Sequence, residues 1–353
     1  MKKPKIPTAV LAALGAAALF GASTPLAKQF VGDMSALLLA GLLYLGSGVG
    51  LIGLRLMRDR GWRNPELAGG EWPWLLSAIA CGGVVGPTLL MLGLARSSAA
   101  SASLLLNLEG VLTAVLAWVV FKENANRRVM LGMALIVAGG LALSWPGAPT
   151  SSDADWQSAA LIVGACLCWA LDNNLTRQVS NSDALFIAGL KGLTAAAANI
   201  GLAFVMGQSL PPWSVTSPVL LIGFLGYGVS LALFVVALRD LGAARTGAYF
   251  GAAPFMGAAI AIGVFHESTS PLFWVAGLLM ALGIWLHLTE RHEHTHRHGA
   301  IQHGHRHTHD AHHQHPHADT WNEQEPHDHV HTHAPLAHSH RHFPDIHHRH
   351  DHP

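Results

Sequence analysis

Read from its amino end, the chain is a series of long apolar runs separated by short polar ones. The runs fall near Thr8–Phe30, Ala36–Met57, Trp74–Leu94, Ala99–Phe121, Val129–Trp145, Ala159–Leu175, Ala184–Met206, Val219–Leu238, Thr246–Phe265 and Pro271–Leu288. A helix needs about 20 mainly apolar residues to cross a bilayer, so each run predicts one membrane span. The fifth and sixth runs are short, which predicts an oblique crossing or padding by loop residues. None of the runs alternates apolar with polar positions as a barrel strand must. They are rich in small residues, as in Gly132-Met133-Ala134 and Ala138-Gly139-Gly140. In lipid such residues let helices pack closely. The expected fold class is an all-α membrane protein of about ten transmembrane helices.

The runs divide into two related sets of five. Phe20-Gly-Ala-Ser-Thr-Pro-Leu-Ala-Lys-Gln29 aligns with Trp169-Ala-Leu-Asp-Asn-Asn-Leu-Thr-Arg-Gln178, and Leu39-Ala-Gly-Leu42 with Ile187-Ala-Gly-Leu190. Ala99-Ala-Ser-Ala102 opens a run ending Val120-Phe-Lys-Glu123; Ala243-Ala-Arg-Thr246 opens one ending Val264-Phe-His-Glu267. Five is odd, so the two halves must be inverted in the membrane, an arrangement that places a binding site at their interface in transporters. The expected units are residues 7–146, residues 157–288 and a polar tail, 289–353.

Charge sets an expected orientation. Lys2, Lys3, Lys5, Arg55, Arg58, Arg60, Arg63, Lys122, Arg127, Arg128, Arg177, Arg239 and Arg245 all fall on one side of the predicted topology, against Lys28 and Arg96 on the other. Basic loops stay inside, so both termini are expected in the cytoplasm of a bacterial-type cell, with the protein in its inner membrane. The basic start before Thr8 resembles a signal peptide, but many spans follow, so it is read as an uncleaved first span. Only 12% of the 353 residues are charged, with 21 basic and 21 acidic; nothing points to a nucleic-acid partner. The three cysteines, Cys81, Cys166 and Cys168, lie in apolar runs without a CxxC motif.

The paired segments resemble the drug/metabolite transporter superfamily in its ten-span EamA-type branch, over about Pro7 to Leu288. The resemblance rests on the two five-span repeats, on Ala102-Ser-Leu-Leu-Leu-Asn-Leu-Glu-Gly-Val111 before Phe121-Lys-Glu123, and on Gly247-Ala-Tyr-Phe-Gly-Ala-Ala-Pro-Phe255 before Phe265-His-Glu267. Pro254 fits the family pattern, whereas Gly110 stands where the first half would carry proline, so a kink in the fourth span is not assured. The resemblance implies a small-solute carrier, most often an exporter, with a cavity between the halves.

Polar groups inside a span are costly and point to function by default. Cys168, Asp172, Asn173 and Asn174 form the densest such group, in the sixth span, with Cys168 and Asp172 on one helical face. Ser23 and Thr24 hold the matching place in the first span. These residues line a solute pathway, or they satisfy frayed backbone at the ends of short spans. Asn107 and Glu109 mark the fourth span and Lys191 the seventh. Lys191 can pair with Asp172 or Glu109, bind an anionic group of the solute, or reach for an interface. Glu123 and Glu267 close equivalent spans, as interfacial residues or gate contacts.

The tail carries 23 of the 25 histidines. They include His292, His294, His296, His298, His303, His305, His307, His309, His312, His313, His315, His317, His327, His329, His331 and His333. With so little apolar material the tail should be disordered without a ligand. Neutral imidazole suits Ni, Co, Zn and Cu, with no selectivity expected beyond intrinsic affinity; no cofactor is required otherwise. The expected partners are the bilayer and a small solute or metal ion, and a homodimer remains open. No nucleophile elbow, phosphate loop or metalloprotease motif suggests an enzyme. The first expectation is secondary efflux of Ni²⁺ or Co²⁺, with the tail collecting metal. The alternatives are export of an amino acid or other small metabolite with the tail as buffer or regulator, and a metal sensor that transports nothing.

Overall fold

A computed structural model describes residues 8–64, 67, 69–121, 127–144, 155–177, 179, 183–234, 236–237, 246, 249–289, 293–298, 301–307, 327–333 and 336–341. It divides into a helical unit, Met1–Thr289, and a tail, Glu290–Pro353.

The helical unit contains α1 (Thr8–Lys28), α2 (Ala36–Asp59), α3 (Trp72–Ala78), α4 (Gly86–Leu94), α5 (Ala99–Leu105), α6 (Leu108–Phe121) and α7 (Arg127–Leu143). Then come α8 (Asp155–Arg177), α9 (Ala184–Val205), α10 (Trp213–Gly223), α11 (Ala253–Gly263) and α12 (Pro271–Leu288). Helices α3 and α4 are one span joined by a π-helical turn, Ile79–Val85, and a second π turn, Phe224–Val229, continues α10. Among the described residues seven helices are long and apolar enough to cross a membrane. This is an integral membrane protein.

Helix α8 corrects the expected short sixth span. It runs 23 residues, because the polar stretch Asp155-Trp-Gln-Ser158 before the apolar run and Thr176-Arg177 after it continue the helix. The eighth span likewise starts at Trp213, six residues before its apolar run.

Packing obeys the exchange of halves. Span 3 packs on span 6 and span 8 on span 1; span 4 packs on span 6 and span 9 on span 1; spans 2 and 7, and 5 and 10, pair with each other. Spans 2 and 7 are antiparallel. Gly41 lies against Ile200, Gly48 against Gly192, and Gly189 against Ile52. Their N-caps correspond too, with Ser35 accepting from the Leu38 amide and Asp183 from the Phe186 amide.

Glycine permits these contacts. A Cβ on Gly223 would overlap the Leu43 carbonyl, and one on Gly46 would overlap the Leu220 carbonyl. A backbone has no room to yield, so Gly223→Ala should cost about 1–3 kcal/mol, the range for overpacking. Thermal unfolding in detergent measures this, and an unchanged melting temperature would refute the close packing.

The tail's described strands are β1 (Glu293–His298), β2 (Ile301–His307), β3 (His327–His333) and β4 (Leu336–Arg341). They form two separate antiparallel pairs, β1 with β4 and β2 with β3. Two-stranded ribbons are marginal in water on their own.

Candidate functional site

The fourth span is broken. Helix α5 ends at Leu105, α6 starts at Leu108, and Asn107 lies in the break, its Nδ2 donating to the Leu104 carbonyl at 2.8 Å. No proline is needed; Asn107 serves by turning its amide onto the freed backbone. The ninth span breaks at the matching place, with a turn at Gly251–Ala252 before α11 and Pro254 in its first turn. Spans 3 and 8 carry the π turns. Four spans are thus irregular at symmetry-related positions, the discontinuity that builds a mid-membrane site in inverted-repeat carriers.

A π turn leaves helical carbonyls open to outside donors. In span 3 they are taken up: the Gly82 carbonyl accepts from Tyr44 Oη at 2.9 Å and from Trp169 Nε1 at 2.9 Å. The Gly83 carbonyl accepts from Asn199 Nδ2 at 3.1 Å. Gly82 also sits against the Asp172 carboxylate so closely that a Cβ would overlap it. Gly226, its counterpart in span 8, packs on Ser23, the counterpart of Asp172.

Asp172 is 7% exposed, and burying a carboxylate there without a partner would be costly. Lys191 supplies the partner, with Nζ 2.5 Å from Oδ1. Thr176 closes the triangle, donating to Asp172 Oδ1 at 2.8 Å and accepting from Lys191 Nζ at 3.1 Å. From the next position along the helix, Asn173 Nδ2 donates to Glu109 Oε1 at 2.9 Å. Among the described residues Glu109 has no cationic partner. The nearby wall is aromatic and built by both halves: Tyr44 lies 5.6 Å from Tyr227, Phe20 lies 5.8 Å from Tyr227 and 5.3 Å from Phe250, and Phe234 lies 4.9 Å from Phe250. Chemically the centre offers an ion pair, a second carboxylate and rings.

Both ends of the bundle are tied across the halves. At one, buried Arg55 is held between the Trp62 and Phe186 rings, 5.2 and 5.3 Å from their centroids. Its Nε stands 3.7 Å from both Asp59 and Asp183, and Arg58 pairs with Asp183 and Asp59. At the opposite end Glu267 caps α5, accepting from the Ala99 and Ala100 amides at 2.9 Å each, while Lys28 donates to the Leu94 carbonyl.

Partial burial pushes the Asp183 carboxyl up, but the Arg58 hydrogen bond, the Phe186 amide and the charges of Arg58 and Arg55 outweigh it and hold Asp183 below its ordinary value. A depressed folded-state pKa gives stability that is present above the unfolded value, about 3.9, and lost as pH falls through the folded one. Acid unfolding in detergent should therefore show a loss of stability below about pH 4 that Asp183→Asn flattens. An identical acid limb in the variant would remove this tie from the account.

Of the residues singled out by sequence, Asp172, Asn173, Glu109 and Lys191 come together. Cys168 lies on the same face as Asp172, against Gly86. Asn174 turns back on its own helix, donating to the Ala170 carbonyl at 2.8 Å; Ser23 does the same with Phe20, at 2.6 Å, and both Ser23 and Thr24 are buried. Glu267 is a helix cap joining two spans, while Glu123 lies outside the described residues. So do His292, His309, His312, His313, His315 and His317. Tyr44, Trp169, Asn199 and Arg55 were not expected at working positions. Most of their partners are backbone carbonyls or groups distant in sequence, such as Asp183 and Phe186 for Arg55; only Asp59, four residues on from Arg55, is local. Among the described residues no group of three or more His, Cys, Asp or Glu is arranged to hold a metal ion.

The chain matches the EamA-like transporter family over residues 7–145 and 156–289, one match per half. It belongs to that family. It is 24% identical over 281 residues to an uncharacterized transporter of Methanothermobacter thermautotrophicus (strain Delta H), covering 76% of this chain and 82% of the relative. Its fold is similar to a protein crystal structure with a TM-score of 0.60 at 18% identity, covering 80% of this chain and 98% of that one. The protein is thus a membrane transporter of some small solute.

Proposed function

We propose that the solute is a small organic molecule bearing an amino group, an amino acid or an amphiphilic amine, moved by secondary transport. The observation that carries this reading is the centre itself. Asp172 is already neutralised by Lys191, Glu109 has no cationic partner among the described residues, and the nearby wall is aromatic. Such rings attract organic cations and give apolar bodies a surface. A zwitterion could exchange with the ion pair, its carboxylate on Lys191 and its ammonium on Asp172 or Glu109.

Efflux of Ni²⁺ or Co²⁺ draws its support from the tail's histidines and from the charge bias that puts the tail in the cytoplasm. The centre gives such an ion little, since one carboxylate, an amide and a thiol make a poor cage for metals that favour imidazole and thiolate. Export rather than uptake, and a bacterial-type inner membrane, follow from the same bias and from the family resemblance.

Full-length protein in liposomes decides between these cargoes. Saturable flux of one of a panel of apolar and aromatic amino acids and amines, with no flux of radiolabelled Ni²⁺ or Co²⁺, is the expected result. Metal flux without any organic flux would overturn it.

A further inference from the structure

Spans 3 and 6 touch along one line and part beside it. Gly93 lies so close to Ile162 that a Cβ would overlap it, and Ser158 Oγ donates to the Gly93 carbonyl at 3.0 Å. On the neighbouring faces the two helices leave an open groove of about 580 Å³, a volume typical of small-molecule sites. Span 3 lines it with Leu89, Leu92 and Arg96, and span 6 with Gln157, Leu161 and Gly164. Each set advances in steps of three and four residues, so each is one stripe of its helix. The deep end lies where a Cβ on Gly164 would meet Leu89 at 3.3 Å. The mouth lies where Arg96 donates to Gln157 Oε1 at 2.8 Å, beside an exposed Trp156. From Leu89 to Arg96 the groove follows the span for about 10 Å.

We propose that this groove is a site for one anionic phospholipid, with an acyl chain along Leu89, Leu92 and Leu161 and the phosphate on Arg96. Charge and depth together select that occupant. Leu92 is 41% exposed, so within a bilayer the floor of the groove lies open to acyl chains. A guanidinium at the end of an apolar stripe reaches headgroup level, and Trp156 marks the same level as an interfacial ring. Arg96 spends one donor on Gln157, which fixes its fork and leaves other N–H groups for a phosphate. Among the described residues no carboxylate pairs with Arg96. An ammonium-bearing solute would meet Arg96 as a like charge. The groove is therefore separate from the central site, and the lipid site holds whatever the carrier moves.

The test uses full-length protein in phosphatidylcholine vesicles carrying a trace of photoreactive lipid. The probe is phosphatidylglycerol or phosphatidylcholine with the same diazirine-bearing chain, and labelled peptides are located by mass spectrometry. Peptides holding residues 89–96 and 156–164 should take about fivefold more label from phosphatidylglycerol, the worth of one basic residue at an anionic surface. Arg96→Gln should abolish that preference and leave labelling elsewhere unchanged. Arg96→Lys keeps the charge and should keep most of the preference. Ala160 is exposed and lines the groove, so Ala160→Phe should fill it and remove the label of both lipids there. Equal labelling by the two lipids, or a preference that survives Arg96→Gln, would overturn the site. So would cross-links between two copies of the chain through residues 156–164 with no lipid label there, which would give the groove to a second protomer.

Discussion

Lys191→Met is expected to unfold this protein far more readily, by about 3–5 kcal/mol, the cost of breaking a buried ion pair from one side. The loss arises from what remains. Asp172 is 7% exposed and pressed against Gly82, where a Cβ has no room. Thr176 can donate one hydrogen bond to it, which does not replace an ammonium at 2.5 Å. Asp172→Leu combined with Lys191→Met removes both charges, and most of the stability should return, because apolar replacement of a whole buried pair is often neutral. The fraction folded after heating in detergent reads both effects. If the single Met variant is as stable as the wild type, the pair is not the structural hinge of spans 6 and 7. Transport should vanish in both variants, which separates binding from folding.

Glu109→Gln is expected to do the reverse, sparing the fold and uncoupling the carrier. The Asn173 amide that donates to Glu109 can donate equally to a glutamine carbonyl, so the contact at 2.9 Å survives. What disappears is a carboxyl that can take up and release a proton. Asp172 is ill placed for that task, since its lysine must be displaced first, whereas Glu109 faces a neutral amide with Asp172, Tyr44 and Cys166 nearby. If protons drive transport, the variant should still exchange solute down its gradient. Its accumulation ratio under an imposed pH gradient should fall to about one, since the intramembrane carboxylate that relays the proton is gone. Undiminished accumulation by Glu109→Gln would end the case for this residue as the proton carrier.

Much of the frame was readable before any coordinates. Apolar runs of spanning length marked the helices, and the repeat of Phe20–Gln29 in Trp169–Gln178 required inversion. The least readable features were local departures from regularity. Leu104-Leu-Leu-Asn107 reads as continuous helix, and the break appears because Asn107 caps the freed backbone from within the span. The π turn at Ile79–Val85 sits in a run of small apolar residues whose periodicity is unremarkable. Its partners come from three other spans. Nothing near Tyr44, Trp169 or Asn199 in the sequence announces their roles, since the carbonyls they bind are open to them only once the turn forms. Span 6 is longer than its apolar run because polar residues at both ends continue the helix. Lys191 could be placed beside Asp172 or Glu109 from sequence, but choosing between them needed the folded bundle, which sets its Nζ on Asp172 Oδ1.

The duplication preserved shape and abandoned chemistry. Gly82 and Gly226 occupy the same niche, yet one leans on Asp172 and the other on Ser23; Lys191 aligns with Leu43, and Arg55 with Ala203. A carrier whose halves were chemical mirror images would rest equally well facing either way. Here neither Lys191 nor Arg55 has a charged counterpart in the other half, so the two resting poses differ in energy and an empty carrier waits on one side. No lock can set the direction of net flow, which the gradients decide. It sets instead which side of the membrane finds the door already open, and how long the carrier takes to come back for its next load.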